Sequence, residues 1–249
     1  MKTFRHLCST LLLLCGIAAN AHDFAVAGIY YNITDSENKT VEVTYKGTSA
    51  LYSSCYSGSL IIPESVIYNE VTYRVTGINE GAFQMESLRS IRIPKSVVSI
   101  PTNMFYYIPI SETSESQTLS NIVVEEGNPI YDSREDCNAI IETATNVLIL
   151  GCNNTQIPTN VASIGSRAFM FCKNLTDIII PDGVTDIGYS AFKGCTALKS
   201  ITIPQNVASI GAEAFKYCSA LEEVVVENVH LAESLMRLSY NVNKQRNKE

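Results

Sequence analysis

The feature that most constrains the fold is a repeat in the C-terminal half of this 249-residue chain. Segments beginning at Ile164, Ile187 and Ile210 share the pattern Ile-Gly-x-x-Ala-Phe-x-x-Cys-x-x-Leu. The same interval separates the members of three columns, which are Phe169, Phe192 and Phe215; Cys172, Cys195 and Cys218; and Pro158, Pro181 and Pro204. A constant period within the range of roughly 20–29 residues is typical of stacked units, each of which buries its apolar residues against the next.

The spacing inside one unit predicts its local structure. Ile178 and Ile180 are two residues apart, so their side chains share one face of a strand. Phe169, Cys172 and Leu175 recur at every third position, which suits a tight helical turn, and the proline after each strand ends its hydrogen bonding. We therefore expect an α/β-type repeat solenoid of the leucine-rich repeat class, with a parallel β ladder at about 4.8 Å spacing.

Units in the N-terminal half are less regular. Phe83 and Phe105 are separated by nearly the repeat interval, whereas the interval from Phe105 to Phe169 is almost three times as long. Two β-prone runs lie in that longer interval, at Asn138–Glu142 and Val147–Leu150, and they predict a hairpin that replaces one unit. We expect the repeat phenylalanines to lie inside the core, namely Phe83, Phe105, Phe169, Phe192 and Phe215.

The first residues have the pattern of a secretory signal. Two basic residues precede an apolar run at 11–18 that is too short to span a bilayer, and the small-x-small triplet Ala19–Ala21 follows it. We expect cleavage before His22, export to the surface or the medium, and no transmembrane segment in the mature chain. The alternative is a lipoprotein signal with Cys15 acylated, which the large Leu14 before the cysteine disfavours.

Both ends of the repeat array need covering, because an open strand ladder exposes unpaired edges. Phe24–Ile33 and Thr40–Lys46 predict an N-terminal β-hairpin, and Leu231, Leu235 and Leu238 predict a short amphipathic helix at the other end. We expect four parts: a signal peptide at 1–21, an N-terminal β cap at 22–58, the repeat solenoid at 59–229 with a divergent insert near 106–157, and a C-terminal cap helix and tail at 230–249.

The repeat pattern resembles the BspA-like leucine-rich repeats of secreted and surface proteins from host-associated bacteria. Val161–Val226 matches that pattern closely, and Gly28–Asn32 and Gly127–Cys152 are also similar to parts of the family. The resemblance implies a leucine-rich repeat fold and an adhesin-like module that binds host matrix proteins or other bacteria. The residues that repeat are those expected in the hydrophobic core, so the resemblance assigns no binding residue.

Five of the eight cysteines fall into two groups. The repeat column that contains Cys195 indicates small buried thiols, and a metal site or a disulfide is the alternative. In the predicted hairpin, Cys137 and Cys152 lie opposite each other. This pair is a candidate disulfide because an exported compartment permits oxidation, and two packed free thiols are the alternative.

Composition excludes several chemistries. The net charge of −7 and the pI of about 5.1 argue against nucleic-acid binding, which needs a basic face. After the predicted cleavage only His22 and His230 remain, and neither belongs to a metal-binding or Ser-His-Asp pattern. We expect no catalytic residue, metal or cofactor, and a monomeric binding module rather than an enzyme. A hydrolase on a solenoid scaffold and a purely structural spacer are the alternatives.

The exposed side of the strand ladder is the predicted binding surface for a protein or glycan partner. It combines apolar and charged side chains, as do most protein interfaces: Arg92, Val123, Asp177, Ile179, Ser200, Thr202, Glu223 and Val225. The alternative is that β-branched residues simply favour strands and need no partner. On the turn side of each unit we expect only short, varied side chains to be exposed.

Overall fold

The computed structural model describes residues 22–45, 56–84, 88–102, 104–106 and 119–232. The predicted signal peptide, Cys15 and most of the predicted C-terminal helix and tail lie outside this part. Eighteen strands are present in it: β1 Phe24–Val26, β2 Ile29–Asp35, β3 Thr40–Thr44, β4 Gly58–Ile61, β5 Ser65–Tyr68, β6 Val71–Ile78, β7 Phe83–Gln84, β8 Leu88–Ile93, β9 Phe105–Tyr106, β10 Asn121–Val124, β11 Tyr131–Asp132, β12 Ile140–Glu142, β13 Val147–Leu150, β14 Ser163–Ile164, β15 Asp186–Ile187, β16 Ser200–Ile203, β17 Ser209–Ile210 and β18 Glu223–Val226.

The N-terminal sheet has five strands in the order β1-β2-β3-β6-β5. β2 and β3 form the predicted antiparallel hairpin, and β1 adds to it antiparallel. The second hairpin, β5–β6, turns at Asn69 and Glu70, whose φ angles of 48° and 66° suit a tight hairpin turn. β6 then pairs parallel with β3.

This sheet extends further along the chain than the sequence indicates. The hairpin β5–β6 lies within the range predicted for the repeats, yet it completes the N-terminal sheet because Val66 and Val75 are buried in the same core as Val41. Phe24 of β1 stacks on Tyr68 of β5 with ring centroids 4.3 Å apart, so the two edges of the sheet meet.

The repeat strands pair in parallel, as the spacing predicts. β4, β8 and β10 form one ladder in which Leu60, Ile91 and Ile122 occupy the same buried column. β14, β15 and β17 form a second ladder at the repeat interval, after β13. β16 and β18 form a third. The β-branched and leucine side chains of each strand therefore stack directly on their counterparts in the next unit.

The turn of each unit is a series of hydrogen-bonded turns rather than a regular helix. Phe169, Phe192 and Phe215 stack there with centroid separations of 5.0 and 5.5 Å and nearly parallel planes. Phe83, Phe169 and Phe192 are fully buried, whereas Phe105 and Phe215 are partly buried and pack against the core. The thiols of Cys195 and Cys218 donate to the carbonyls of Phe169 and Phe192, both at 3.1 Å, so the cysteine column is one of packed thiols.

Two hydrophobic clusters form the core, and the hairpin β12–β13 belongs to both. Ile140 and Leu150 pack in the N-terminal cluster, and Ile141 and Leu148 pack in the C-terminal cluster. Ile140 and Ile141 are successive residues of β12 and point to opposite faces. Leu148 and Leu150 of β13 are two residues apart, and the register shift leaves Ile149 unpaired between them, so these two leucines also reach different clusters. The predicted hairpin is therefore buried on both faces and joins the two halves of the molecule.

The predicted pairing of Cys137 with Cys152 is not present in this structure. Both are buried free thiols, one in each hydrophobic cluster. Glu142 pairs with Val147 as predicted, but a register shift between Ile140 and Ile141 offsets the strands beyond that point. An irregularity of this kind re-aims the side chains that follow it, which separates the two cysteines.

Candidate binding face

The predicted face residues lie in two separate groups. In the first, Arg92 of β8 is the strand partner of Val123 in β10 and of Ile61 in β4. The Arg92 Nε atom donates to Glu125 Oε1 at 2.9 Å, and both side chains remain partly exposed. This group therefore presents an exposed isoleucine beside a charged pair, with Ile61 at 66% exposure.

The second group lies after the hairpin. Ser200 and Thr202 of β16 are the strand partners of Glu223 and Val225 of β18, and all four side chains are exposed. Asp177 and Ile179 precede them in a stretch that forms no strand. Apolar side chains are exposed in this group as well: Ile179 at 83%, Val224 at 46% and Val225 at 43%.

A segment that sequence reasoning missed separates the two groups. Cys152, Thr155 and Ile157 stand one repeat interval before Leu175, Ile178 and Ile180, so the repeat begins one unit earlier than its obvious copies. The constant interval was a signal that could have found this unit. A polar residue at position 155 conceals it, because that column otherwise holds isoleucine or valine.

Thr155 is buried, and hydrogen bonds satisfy its hydroxyl. Its Oγ1 donates to the carbonyl of Asn138 at 2.6 Å and accepts from the backbone N–H of Cys152 at 2.7 Å. The N–H of Gln156 donates to the carbonyl of Cys137 at 3.1 Å. These bonds attach the segment to the loop before the hairpin and not to the next unit.

A groove lies between this segment and the following unit. It has a volume of about 780 Å³, and its walls include Gln156 and Ile157 on one side and Asp177, Ile179 and Asp182 on the other. A smaller groove of about 250 Å³ lies on the other side of Ile179, beside Ser200, Thr202 and Glu227. The predicted residues Asp177, Ile179, Ser200 and Thr202 thus meet at these grooves, whereas Arg92 and Val123 do not line them.

The turn side differs from expectation, because large side chains are exposed there. Tyr189 and Tyr217 are 42% and 55% exposed. The Arg167 guanidinium lies 5.5 Å from the ring centroid of Tyr189, and the Lys216 ammonium lies 5.2 Å from that of Tyr217. These contacts stabilise each cation over an aromatic face.

Glu213 is the acidic centre of this turn side and gives stability a pH dependence. Hydrogen bonds from Lys193 and Lys216 lower the pKa of its carboxyl from 4.5 to about 2, and the bond from Lys193 has the larger effect. A lowered pKa stabilises the fold above the unfolded value of 4.5, and this contribution is lost as the pH falls from there toward about 2.

We expect Glu213→Gln to reduce stability at neutral pH and to reduce it progressively less in acid. Urea unfolding of the wild type and the variant across this pH range measures the difference. Glu126→Gln makes the same chemical change at an exposed carboxylate on another turn and controls for general acid destabilisation. A stability gap between the wild type and Glu213→Gln that stays constant down to about pH 2 would contradict the assignment.

Four of the five described thiols are poor nucleophiles because their pKa values are raised: Cys137, Cys152, Cys172 and Cys195. The pKa of Cys218 is instead lowered, chiefly by its hydrogen bond with Cys195. Burial raises the pKa of Cys137 to about 11 and raises the pKa of Cys172 as well. Both are therefore protonated at neutral pH, and a protonated thiol neither attacks a substrate nor binds a metal readily. Within residues 22–232, as far as they are described, no three His, Cys, Asp or Glu side chains are grouped as a metal site would require.

Stacked units with parallel strands and a turn of phenylalanine and cysteine define a leucine-rich repeat protein. The model of the BspA type leucine rich repeat region matches residues 47–125 and 149–241, in six copies. The chain belongs to the BspA-type leucine-rich repeat family, as its resemblance to that family implied. No curated protein matches it significantly.

Solved structures of bacterial leucine-rich repeat proteins are similar to this chain. One from Bacteroides ovatus is 29% identical, with 82% of this chain and 41% of that chain covered and a TM-score of 0.40. A leucine rich cell surface protein from Faecalibacterium prausnitzii is 24% identical, with coverages of 82% and 42% and a TM-score of 0.39. The pneumococcal vaccine antigen PcpA is 12% identical, with coverages of 85% and 82% and a TM-score of 0.35. This chain thus spans about two fifths of the length of the first two proteins.

None of the helices in the described ranges is long and apolar enough to cross a membrane.

Proposed function

We propose that this protein is an exported, non-catalytic binding module that holds a partner protein on the strand face of a leucine-rich repeat solenoid. The observation that carries the proposal is Ile179, an isoleucine at 83% exposure with a groove on each side. Folding alone removes little of this apolar side chain from water, so it adds little to stability. Binding of a partner that covers it removes that area from water and is favourable. Val225 and the charged Glu223 extend the same surface.

In this proposal the two ends of the array are covered. The N-terminal sheet covers the first unit, since the Tyr56 hydroxyl donates to the carbonyl of Thr44 in β3 and the Tyr56 ring packs edge-on against Phe83 of the repeats at 5.5 Å. At the other end a helix begins at Val229. The side chain of Asn228 accepts from the N–H of Leu231 at 3.1 Å, as a capping residue does, and Leu231 is buried in the C-terminal cluster.

Export follows from the signal pattern at 1–21, with His22 as the first mature residue. N-terminal sequencing of the secreted protein tests this part, and a chain that still begins at Met1 would contradict it. The mature protein acts as a monomer, and its partner is a protein rather than a glycan because the exposed side chains of the face are mainly apolar and acidic.

The binding face is tested by the double variant Ile179→Asp with Val225→Asp. Both side chains are exposed, so we expect the protein to fold while affinity for a captured matrix or surface protein falls at least about tenfold. The matched control is Ile67→Asp with Val98→Asp, which makes the same changes at exposed positions off the face. Binding is measured by surface plasmon resonance, with circular dichroism to verify folding. Equal loss in both double variants, or in neither, would place the binding surface elsewhere.

A further inference from the structure

The backbone from Asp177 to Ile180 is the part of the strand face that lacks hydrogen-bonded neighbours. None of its N–H or C=O groups forms a backbone hydrogen bond with any described residue. The last bond before it joins Lys199 N to Thr176 O at 3.4 Å. The equivalent residues one and two units later form the paired strands β16 and β18. A row of unpaired backbone groups at the surface, in a strand-like sequence, is a template on which another chain can pair.

The space for that partner is present on both sides. The groove of about 780 Å³ separates this stretch from Gln156 and Ile157, and the groove of about 250 Å³ separates it from β16. The segment at 153–157 cannot fill the larger groove, because Thr155 and Gln156 are hydrogen-bonded to the loop at Cys137 and Asn138.

Side chains along the stretch alternate as in a half-buried strand. Ile178 and Ile180 are buried in the C-terminal cluster, whereas Ile179 between them points to solvent. A chain that pairs with this backbone therefore meets an isoleucine on its exposed face, and every second side chain of that chain lies beside it.

The charge of the grooves selects the kind of chain. The charged residues that line them are Asp177, Asp182 and Glu227, and no described lysine, arginine or histidine does so. An acidic wall attracts a basic partner and repels a polyanion.

We propose that Asp177–Ile180 binds an extended, basic segment of a partner protein as an added β-strand. This proposal rests on the proposed function, since it names the chemistry of the partner on the same face. Main-chain hydrogen bonds give such an interaction its affinity, and the side chains beside the strand give it specificity. The partner contributes apolar residues toward Ile179 and lysine or arginine toward Asp177 and Asp182.

The test uses synthetic peptides of about ten residues, the upper end of the usual strand length, with alternating lysine and valine. We expect this peptide to bind the mature protein and to protect the amides of 177–180 from hydrogen exchange. The same peptide with alternate nitrogens methylated keeps its charge but loses donors, and we expect at least about tenfold weaker binding. A glutamate–valine peptide is expected not to bind. Equal binding of the methylated and unmodified peptides, or no protection at 177–180, would overturn the proposal.

Two protein variants complete the experiment. Asp177→Asn with Asp182→Asn should weaken binding of the lysine–valine peptide and reduce the salt dependence of that binding. Both carboxylates are exposed, so their attraction for lysine is screened by salt. Ile179→Pro removes one backbone donor and should abolish the peptide-induced protection of 177–180 from hydrogen exchange. If that variant fails to fold, hydrogen exchange of the wild-type protein with and without the peptide gives the same information. Self-association of the wild-type protein that Ile179→Pro abolishes would identify a second copy as the occupant and reject the basic partner segment.

The outcome separates this proposal from the proposed function. Suppose that Ile179→Asp with Val225→Asp no longer binds the partner protein, and that the wild-type protein binds the methylated peptide as well as the unmodified one. The strand face then binds its partner without strand pairing. The proposed function then stands, and the added β-strand does not.

Discussion

Phe192→Ala should lower the free energy of unfolding by about 3–5 kcal/mol, which is the usual cost of removing a fully buried phenylalanine. Phe192 is completely buried and is the middle ring of the stack, 5.0 Å from Phe169 and 5.5 Å from Phe215. Its loss therefore removes two ring contacts and leaves a cavity between two units, which cannot close because the backbones on both sides are hydrogen-bonded.

Thermal and urea unfolding measure this change, and a fall in melting temperature of about 10 °C is expected for a protein of this size. Tyr217→Ala is the matched control, because Tyr217 occupies the same turn side and is 55% exposed. That control should change stability by less than about 1 kcal/mol. A similar loss in the two variants would mean that the stacked rings are not the main support of the turns.

Gly188→Ala should destabilise the protein by about 3 kcal/mol, at the upper end of what overpacking costs. A Cβ atom at Gly188 would lie 2.5 Å from the backbone nitrogen of Ser166 and 2.7 Å from the carbonyl carbon of Gly165. Both contacts are to backbone in the preceding unit, so no flexible side chain can move aside. The two units would have to separate and to weaken the hydrogen bonds between them.

Gly77→Ala is the matched control for this glycine. A Cβ atom there would lie 3.5 Å from Glu42 Cβ, an ordinary contact, and Gly77 does not need a positive φ. Alanine at such a site restricts the unfolded chain, so stability should stay equal or rise by up to about 1 kcal/mol. Urea unfolding compares the two variants. An unchanged urea midpoint for Gly188→Ala would show that the two units can move apart without loss of stability.

The repeated columns explain why so much of the fold could be predicted. Phe169, Cys195 and Ile201 recur at a fixed interval because each contacts its own counterpart in the next unit, so the pattern reports tertiary contacts directly. The parallel pairing of β3 with β6 had no such signal. It depends on the surfaces of two hairpins that are distant in sequence.

The candidate binding face was predictable only in part. Asp177 and Ile179 have the same strand pattern as Ser200 and Thr202, and in both units the expected side chains are exposed. Strand formation also requires a neighbouring backbone within hydrogen-bonding reach. The neighbouring segment at 153–157 is instead attached to the loop before the hairpin by the hydrogen bond of Thr155. A threonine at a repeat position that otherwise holds isoleucine or valine does not indicate this attachment in the sequence.

The hairpin β12–β13 couples the folding of the two halves of the protein. The core of the N-terminal half includes Ile140 and Leu150, so we expect that core to stay incomplete until the hairpin has formed. The opposite face of the same hairpin offers Ile141 and Leu148 as an apolar surface to the C-terminal repeats. We therefore expect both halves to depend on one short segment, which completes one core and starts the other.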